Sequence, residues 1–260
     1  TAEAKVPTAG GDGLSPQRSH FACSGDPPKD FGDGVLHVVY ASHINQAEGL
    51  QASIASVIES SRDPTKLVIH VMIREEYLAK FTSRFGMKPQ CQGIVTLTGV
   101  HVTLRTLNKS MILPSVAKVK TRVVLERGSL NVIENFARFY LHVLLRPSTV
   151  AVYLDADTIV QTDIWQLQDE LLDRGKTVGF VARESPRAMD AYLKNLERCG
   201  VSDKVHNLSK LMGMPAYNTG VFAVNLKRWT SHDYTGKVES LVAMHNACEG
   251  KAWFGGSQPP

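Results

Sequence analysis

Eleven residues constrain this chain more than any others: Val150-Ala151-Val152-Tyr153-Leu154-Asp155-Ala156-Asp157-Thr158-Ile159-Val160. Five apolar side chains run without interruption into two carboxylates one residue apart. An unbroken apolar run bounded by polar residues reads as a strand buried on both faces, the kind that parallel sheets carry. Asp155 and Asp157 then stand at the C-terminal edge of that strand, where open α/β sheets bind ligands. On an extended segment residues i and i+2 project to one side, so both carboxylates reach one cation. Aspartate oxygens suit hard ions such as Mg²⁺ or Mn²⁺, which bridge to a substrate diphosphate. The same triplet is also an ordinary turn sequence, because Asp favours turns. The surrounding segments decide between the two.

Those segments alternate in type. Residues 35–40 are β-branched and apolar, a first strand. Leu50, Ile54, Val57 and Ile58 recur at helical spacing and predict a helix over 46–61, broken by Asp63-Pro64. Residues 67–72 read as a second strand and 75–85 as a second helix. Further strands are expected within 93–107, at 177–181 and at 217–225. Further helices are expected at 133–145, 162–172, 226–229 and 234–247. The alternation implies an α/β fold: a single Rossmann-like, doubly wound, mostly parallel sheet flanked by helices. Residues 1–34 are rich in Gly, Pro, Ser and Asp and read as a flexible arm or stem, leaving 35–260 as the domain. The long polar stretch 183–214 reads as a binding loop. Lys118, Lys120, Arg122 and Arg127 read as a solvated basic face.

Composition narrows the function classes. Hydrophobic residues make up 43% of the 260 and charged residues 21%, enough for a full core. A net charge of +4 suits an anionic ligand but gives no footprint for nucleic acid. No apolar run approaches the roughly 18 residues of a membrane span. The first residue is Thr, so a trimmed chain is expected, with membrane attachment only through an anchor lost from the start. Cys23, Cys91, Cys199 and Cys248 form no C-x-x-C pair, which argues against zinc; their even number permits two disulfides or buried thiols. With the sequons Asn108-Lys109-Ser110 and Asn207-Leu208-Ser209, they lean toward the secretory pathway.

Three segments together resemble glycosyltransferase family 8: Glu134-Asn135-Phe136-Ala137-Arg138-Phe139-Tyr140-Leu141, then Tyr153–Val160, then Tyr217-Asn218-Thr219-Gly220-Val221-Phe222-Ala223-Val224-Asn225-Leu226. The first strand with Ala41-Ser42 is similar to the family's uridine-binding start. The terminal Gly-Ser-Gln-Pro-Pro resembles the eukaryotic Golgi branch, the glycosyltransferase 8 domain-containing and galacturonosyltransferase-like proteins. The resemblance implies a GT-A fold and a retaining, Mn²⁺- or Mg²⁺-dependent transfer from a UDP-sugar to a hydroxyl acceptor on a glycan or protein. It also implies a Golgi or secretory-pathway lumen. By the same resemblance Asp155 and Asp157 hold the metal, with Ala156 between them at the donor. Ala41, Ser42, His43 and Asn45 line the uridine pocket. Arg138 meets the donor sugar or diphosphate, Asn218 and Thr219 face the sugar, and Ser257 and Gln258 flank the reacting centre. Gln258, Asn218 and Arg138 are the expected catalytic set. The family also carries a further C-terminal segment with a His metal ligand and a Lys on the phosphates, and this chain is expected to stop before it.

The residues fit that chemistry. Leaving of UDP develops charge on the diphosphate, and a cation held by two aspartates stabilises it. No carboxylate nucleophile stands at Ser257/Gln258, which favours front-face substitution over a double displacement. Two other classes compete. A strand followed by Asp-x-Asp-Thr also resembles the opening of haloacid-dehalogenase-type phosphatases. A glycosyltransferase-like UDP- or glycan-binding protein without turnover is the other reading.

Overall fold

The computed structural model describes residues 22–23, 34–85, 94–97, 100–107, 132–145, 150–182, 199 and 217–249. Among them, eight strands form one sheet: β1 (Ala22–Cys23), β2 (Leu36–Ala41), β3 (Leu67–Arg74), β4 (Ile94–Leu97), β5 (Val100–Leu107), β6 (Val150–Leu154), β7 (Val178–Ala182) and β8 (Tyr217–Asn225). Their order across the sheet is β1-β4-β5-β3-β2-β6-β8-β7. The four central strands, β5, β3, β2 and β6, are parallel. The flanks are antiparallel, with β4 folded back on β5, and β8 lying against β6 and β7. The sheet is therefore mixed, with the expected parallel arrangement at its centre.

Helices cover both faces. On one, α1 (Ala47–Ser60) lays Ala47, Leu50, Ile54 and Val57 over Leu36, Val38 and Tyr40. Phe81 of α2 (Leu78–Arg84) and Trp165 of α5 (Trp165–Asp173) join the same cluster. On the other, α3 (Ile133–Ala137) and α4 (Leu141–Leu144) pack with α6 (Leu226–Ser231) and α7 (Tyr234–Ala247) over Val39, Met72, Ala151, Tyr153 and Phe222. The start of α1 is set by a short 3-10 turn, Ile44–Gln46, with a capping box on His43. The expected single helix over 133–145 is two short ones. The chain breaks at Arg138–Tyr140, where Arg138 and the Tyr140 hydroxyl each leave the helical path for partners elsewhere.

One polar ladder crosses the sheet away from its C-terminal edge. His37 Nδ1 is 2.9 Å from His70 Nε2, and Arg105 Nε donates to His70 Nδ1 at 3.2 Å. Arginine only donates, so Nδ1 of His70 is an acceptor and its Nε2–H donates to His37. Thr103 Oγ1 closes the ladder 2.8 Å from the same Nδ1. Burial first, and then the charge of Arg105, lowers His37 to about 4. Burial, then His37 and Arg105, holds His70 well below its usual range.

Candidate active site at the C-terminal edge of the sheet

The strand order reverses at β2: β3 lies on one side and β6 on the other. Such a switch point opens a crevice outside the carboxyl ends of the two strands. The chain after β2 (Ala41, Ser42, His43, Asn45) and after β6 (Asp155, Ala156, Asp157) flanks that crevice. Because β8 runs antiparallel to β6, its first residues, Tyr217–Gly220, come to the same edge.

The two aspartates do not lie on an extended segment. Thr158 N donates to Asp155 O at 3.1 Å, closing a turn over residues 155–158. Ala156 is buried in this turn and Asp157 is exposed. Asp is at home in such a turn. The turn is tied to β8 by Asp155 N, which donates to Gly220 O at 2.7 Å.

Arg138 holds the side of this turn. Its side chain is 3% exposed, and its Nη2 lies 2.9 Å from Asp155 Oδ1. Nε donates to Asn135 O at 2.9 Å, and Nη2 also donates to Asn135 Oδ1 at 3.3 Å. Nη1 donates to Thr219 O at 2.5 Å and to Thr219 Oγ1 at 3.2 Å. Five guanidinium N–H groups thus meet five acceptors within the chain. The guanidinium also lies 4.7 Å over the Tyr153 ring. Burial pushes the Tyr153 phenol well above its usual range, so its hydroxyl stays protonated and donates to Asp155 Oδ1 at 3.2 Å.

β8 bends to make these contacts. Phe180 pairs with Phe222, but the next residue, Val181, pairs with Asn218, leaving residues 219–221 bulged. On its other side β8 keeps its register with β6, so the Asp155 N–Gly220 O bond continues the β6–β8 ladder, while the Thr219 carbonyl meets Arg138. Asn218 Oδ1 accepts from Gly220 N at 2.8 Å.

On the β2 side Ser42 is buried, its Oγ donating to His43 O at 3.2 Å. His43 Nδ1 accepts from Asn45 N at 3.2 Å, and Nε2 is 3.0 Å from Tyr77 Oη. Tyr77 lies beneath Arg74, whose Nε donates to Glu134 Oε1 at 2.6 Å. Glu134 Oε2 is buried and has no hydrogen-bond partner among the described residues. Asn45 is exposed.

Of the expected site residues, Ala41, Ser42, His43, Asn45, Arg138, Asp155, Ala156, Asp157, Asn218 and Thr219 lie along this edge. Ser257 and Gln258 lie outside the described residues, as do most of the 183–214 loop and the basic stretch after 107. Tyr153, Tyr77, Arg74, Glu134 and Gly220 were missed by sequence reasoning. Tyr153 carried a signal, being the one polar-tipped residue in an otherwise aliphatic strand. The others are linked to the site only through the fold.

A divalent cation, which the resemblance implies, fits these residues in part. Asp155 Oδ2 accepts no hydrogen bond among the described residues, and Asp157 is exposed; both offer hard oxygen donors. No group of three or more His, Cys, Asp or Glu able to hold a metal occurs among the described residues, so further oxygens must complete the shell.

A parallel-centred sheet with two aspartates at its switch point is the architecture of GT-A glycosyltransferases. Mouse xyloside xylosyltransferase 1 aligns over 86% of this chain and 78% of its own, with a TM-score of 0.56 at 14% identity. The galactosyltransferase LgtC, solved with donor and acceptor sugar analogues, aligns over 85% of this chain and 68% of its own, with a TM-score of 0.51 at 18% identity. This chain belongs to glycosyl transferase family 8, whose sequence model matches residues 37–260. Mouse glycosyltransferase 8 domain-containing protein 2 is 32% identical over 152 residues, 55% of this chain and 44% of that protein. The match thus spans about half the length of that relative.

Proposed function

We propose that this chain carries the donor site of a retaining glycosyltransferase that moves a sugar from a UDP-sugar to a hydroxyl acceptor on a glycan or protein. The observation that carries the reading is the Asp155–Thr158 turn at the switch point, with Asp155 held by Arg138 and Asp157 exposed. Asp155 and Asp157 would hold Mn²⁺ or Mg²⁺. A cation bound there offsets the charge that develops on the diphosphate as its bond to the sugar breaks.

The chain's own residues do the positioning. Ala41, Ser42 and Asn45 border the uridine, with His43 shaping the loop through its bonds to Asn45 and Tyr77. Arg138 acts by holding Asp155 and Thr219, since its donors are all engaged within the chain. Asn218 and Thr219 face the sugar; by the family resemblance Ser257 and Gln258 would flank the anomeric carbon. The acceptor hydroxyl attacks on the face from which UDP leaves, and a UDP phosphate oxygen takes its proton. Trapping of a glycosyl adduct on the protein would refute that route.

A secretory-pathway lumen, the Golgi in particular, fits the Cys199–Cys248 disulfide and the family's eukaryotic members. No described helix is long and apolar enough to cross a membrane.

Calorimetric titration of UDP with Mn²⁺, repeated in EDTA and with Asp157→Ala, tests the donor site. Binding that requires Mn²⁺ and is lost in the variant is expected, followed by turnover on one of a panel of UDP-sugars. Metal-dependent binding without turnover favours the non-catalytic reading. Absence of UDP binding in every condition refutes both.

A further inference from the structure

The two oxygens of the Asp155 carboxylate have different surroundings. Oδ1 accepts from Arg138 Nη2 and from the Tyr153 hydroxyl. Oδ2 accepts from neither and lies against Gly220. A Cβ built on Gly220 would collide with Oδ2 and would stand 3.1 Å from both Asp155 Cγ and Asn218 Oδ1.

Gly220 is not needed for its backbone. The positive-φ glycines among the described residues are Gly34 and Gly175; Gly220 has a conformation open to any residue. It lies inside a strand, where glycine weakens the sheet and offers no side chain to pack. What glycine supplies here is space. The carboxylate cannot easily yield that space, because two donors hold Oδ1 and the Asp155 amide is bonded to the Gly220 carbonyl itself at 2.7 Å.

We propose that Gly220 is a positioning residue whose missing side chain lets Asp155 present Oδ2 alone to a divalent cation, while Arg138 and Tyr153 hold Oδ1. Asp155 is then a one-oxygen ligand of fixed direction. A side chain at 220 rotates the carboxylate and spoils cation binding without touching the cation. The inference rests on the donor-site reading above.

The test compares wild type with Gly220→Ala in Mn²⁺-dependent UDP binding by calorimetry, with melting recorded in EDTA. A loss of affinity of about 10- to 100-fold is expected, the range typical when a residue that orients a metal ligand is changed. Melting of the same variants completes a double-mutant cycle with Asp155→Ala. Gly220→Ala should lower the melting temperature in the wild-type background and change it little once the Asp155 carboxylate is gone. Wild-type binding with an unchanged Gly220→Ala overturns this inference alone. A wild type that binds neither Mn²⁺ nor UDP overturns the functional reading and this inference with it. Should Gly220→Ala fail to fold, the Asp155→Ala background decides: a double variant as stable as Asp155→Ala alone supports the collision, and one that unfolds where Asp155→Ala alone folds refutes it.

Discussion

Arg138 Nη2 lies 2.9 Å from Asp155 Oδ1, and the same guanidinium reaches the Thr219 carbonyl on β8. One buried cation therefore joins α3, the turn after β6 and the bulge of β8. Arg138→Lys keeps the charge but offers three donors from a single point in place of a planar fork. It cannot serve all the Asn135 and Thr219 acceptors, should cost about 1–3 kcal/mol in urea unfolding, the scale for buried polar groups left unpaired, and should weaken Mn²⁺-dependent UDP binding as well. Wild-type stability in this variant would contradict the role given to the fork.

The His37–His70 ladder predicts a pH dependence of stability. Both imidazoles titrate lower in the folded chain than in the unfolded one, His37 at about 4 against 6.5. Between those values the unfolded chain binds protons that the folded chain refuses, so stability falls as pH drops from about 6.5 toward 4. Above pH 7 the contribution is flat. The melting temperature measured across this range should show the slope, and His37→Gln, which keeps an acceptor for His70, should reduce it, leaving the part that belongs to His70. An equal slope in the variant would assign the effect to other groups.

Tyr40 and Ser53 exchange a buried hydrogen bond of 2.9 Å between β2 and α1. Tyr40→Phe strands the Ser53 hydroxyl and should cost about 1–3 kcal/mol. Adding Ser53→Ala should recover part of that loss, because no buried polar group is then left unpaired. Strict additivity in a denaturation cycle would show that the two hydroxyls are independent.

Cys199 and Cys248 are joined across 49 residues of sequence. Closing a loop of that length stabilises by about 4 kcal/mol in the chain-entropy account. Cys248→Ala should lower the melting temperature, and a reducing agent should lower that of wild type by more than that of the variant. A variant that melts like wild type would leave the bridge without a stabilising role.

Where periodicity was local, the sequence was easy to read. The β2, β3 and β8 strands and the α1 and α7 helices fall within a residue or two of expectation, because each places apolar residues at its own period. The helix expected over 133–145 breaks because Arg138 and Tyr140 answer to partners 81 and 99 residues away. No window of helical propensity contains those partners. The aspartate pair was legible as a residue type and a position, but its turn was not, since the Asp155 amide is committed to Gly220 on a strand still to come. Gly220 stood in the sequence as one residue of the 217–225 strand; its reason for being glycine exists only once Asp155 stands beside it.

The antiparallel placement of β8 has a consequence for the order in which the protein is made. Arg138 and its acceptor Thr219 are 81 residues apart. At typical elongation rates that is roughly 4–16 s of synthesis. Until β8 is made, β6 has no antiparallel partner and Arg138 lacks its Thr219 acceptors. A bare strand edge is a template for unwanted pairing. Among the described strands this edge of the sheet is thus the last to become whole, and a nascent chain halted before β8 leaves β6 without its antiparallel partner.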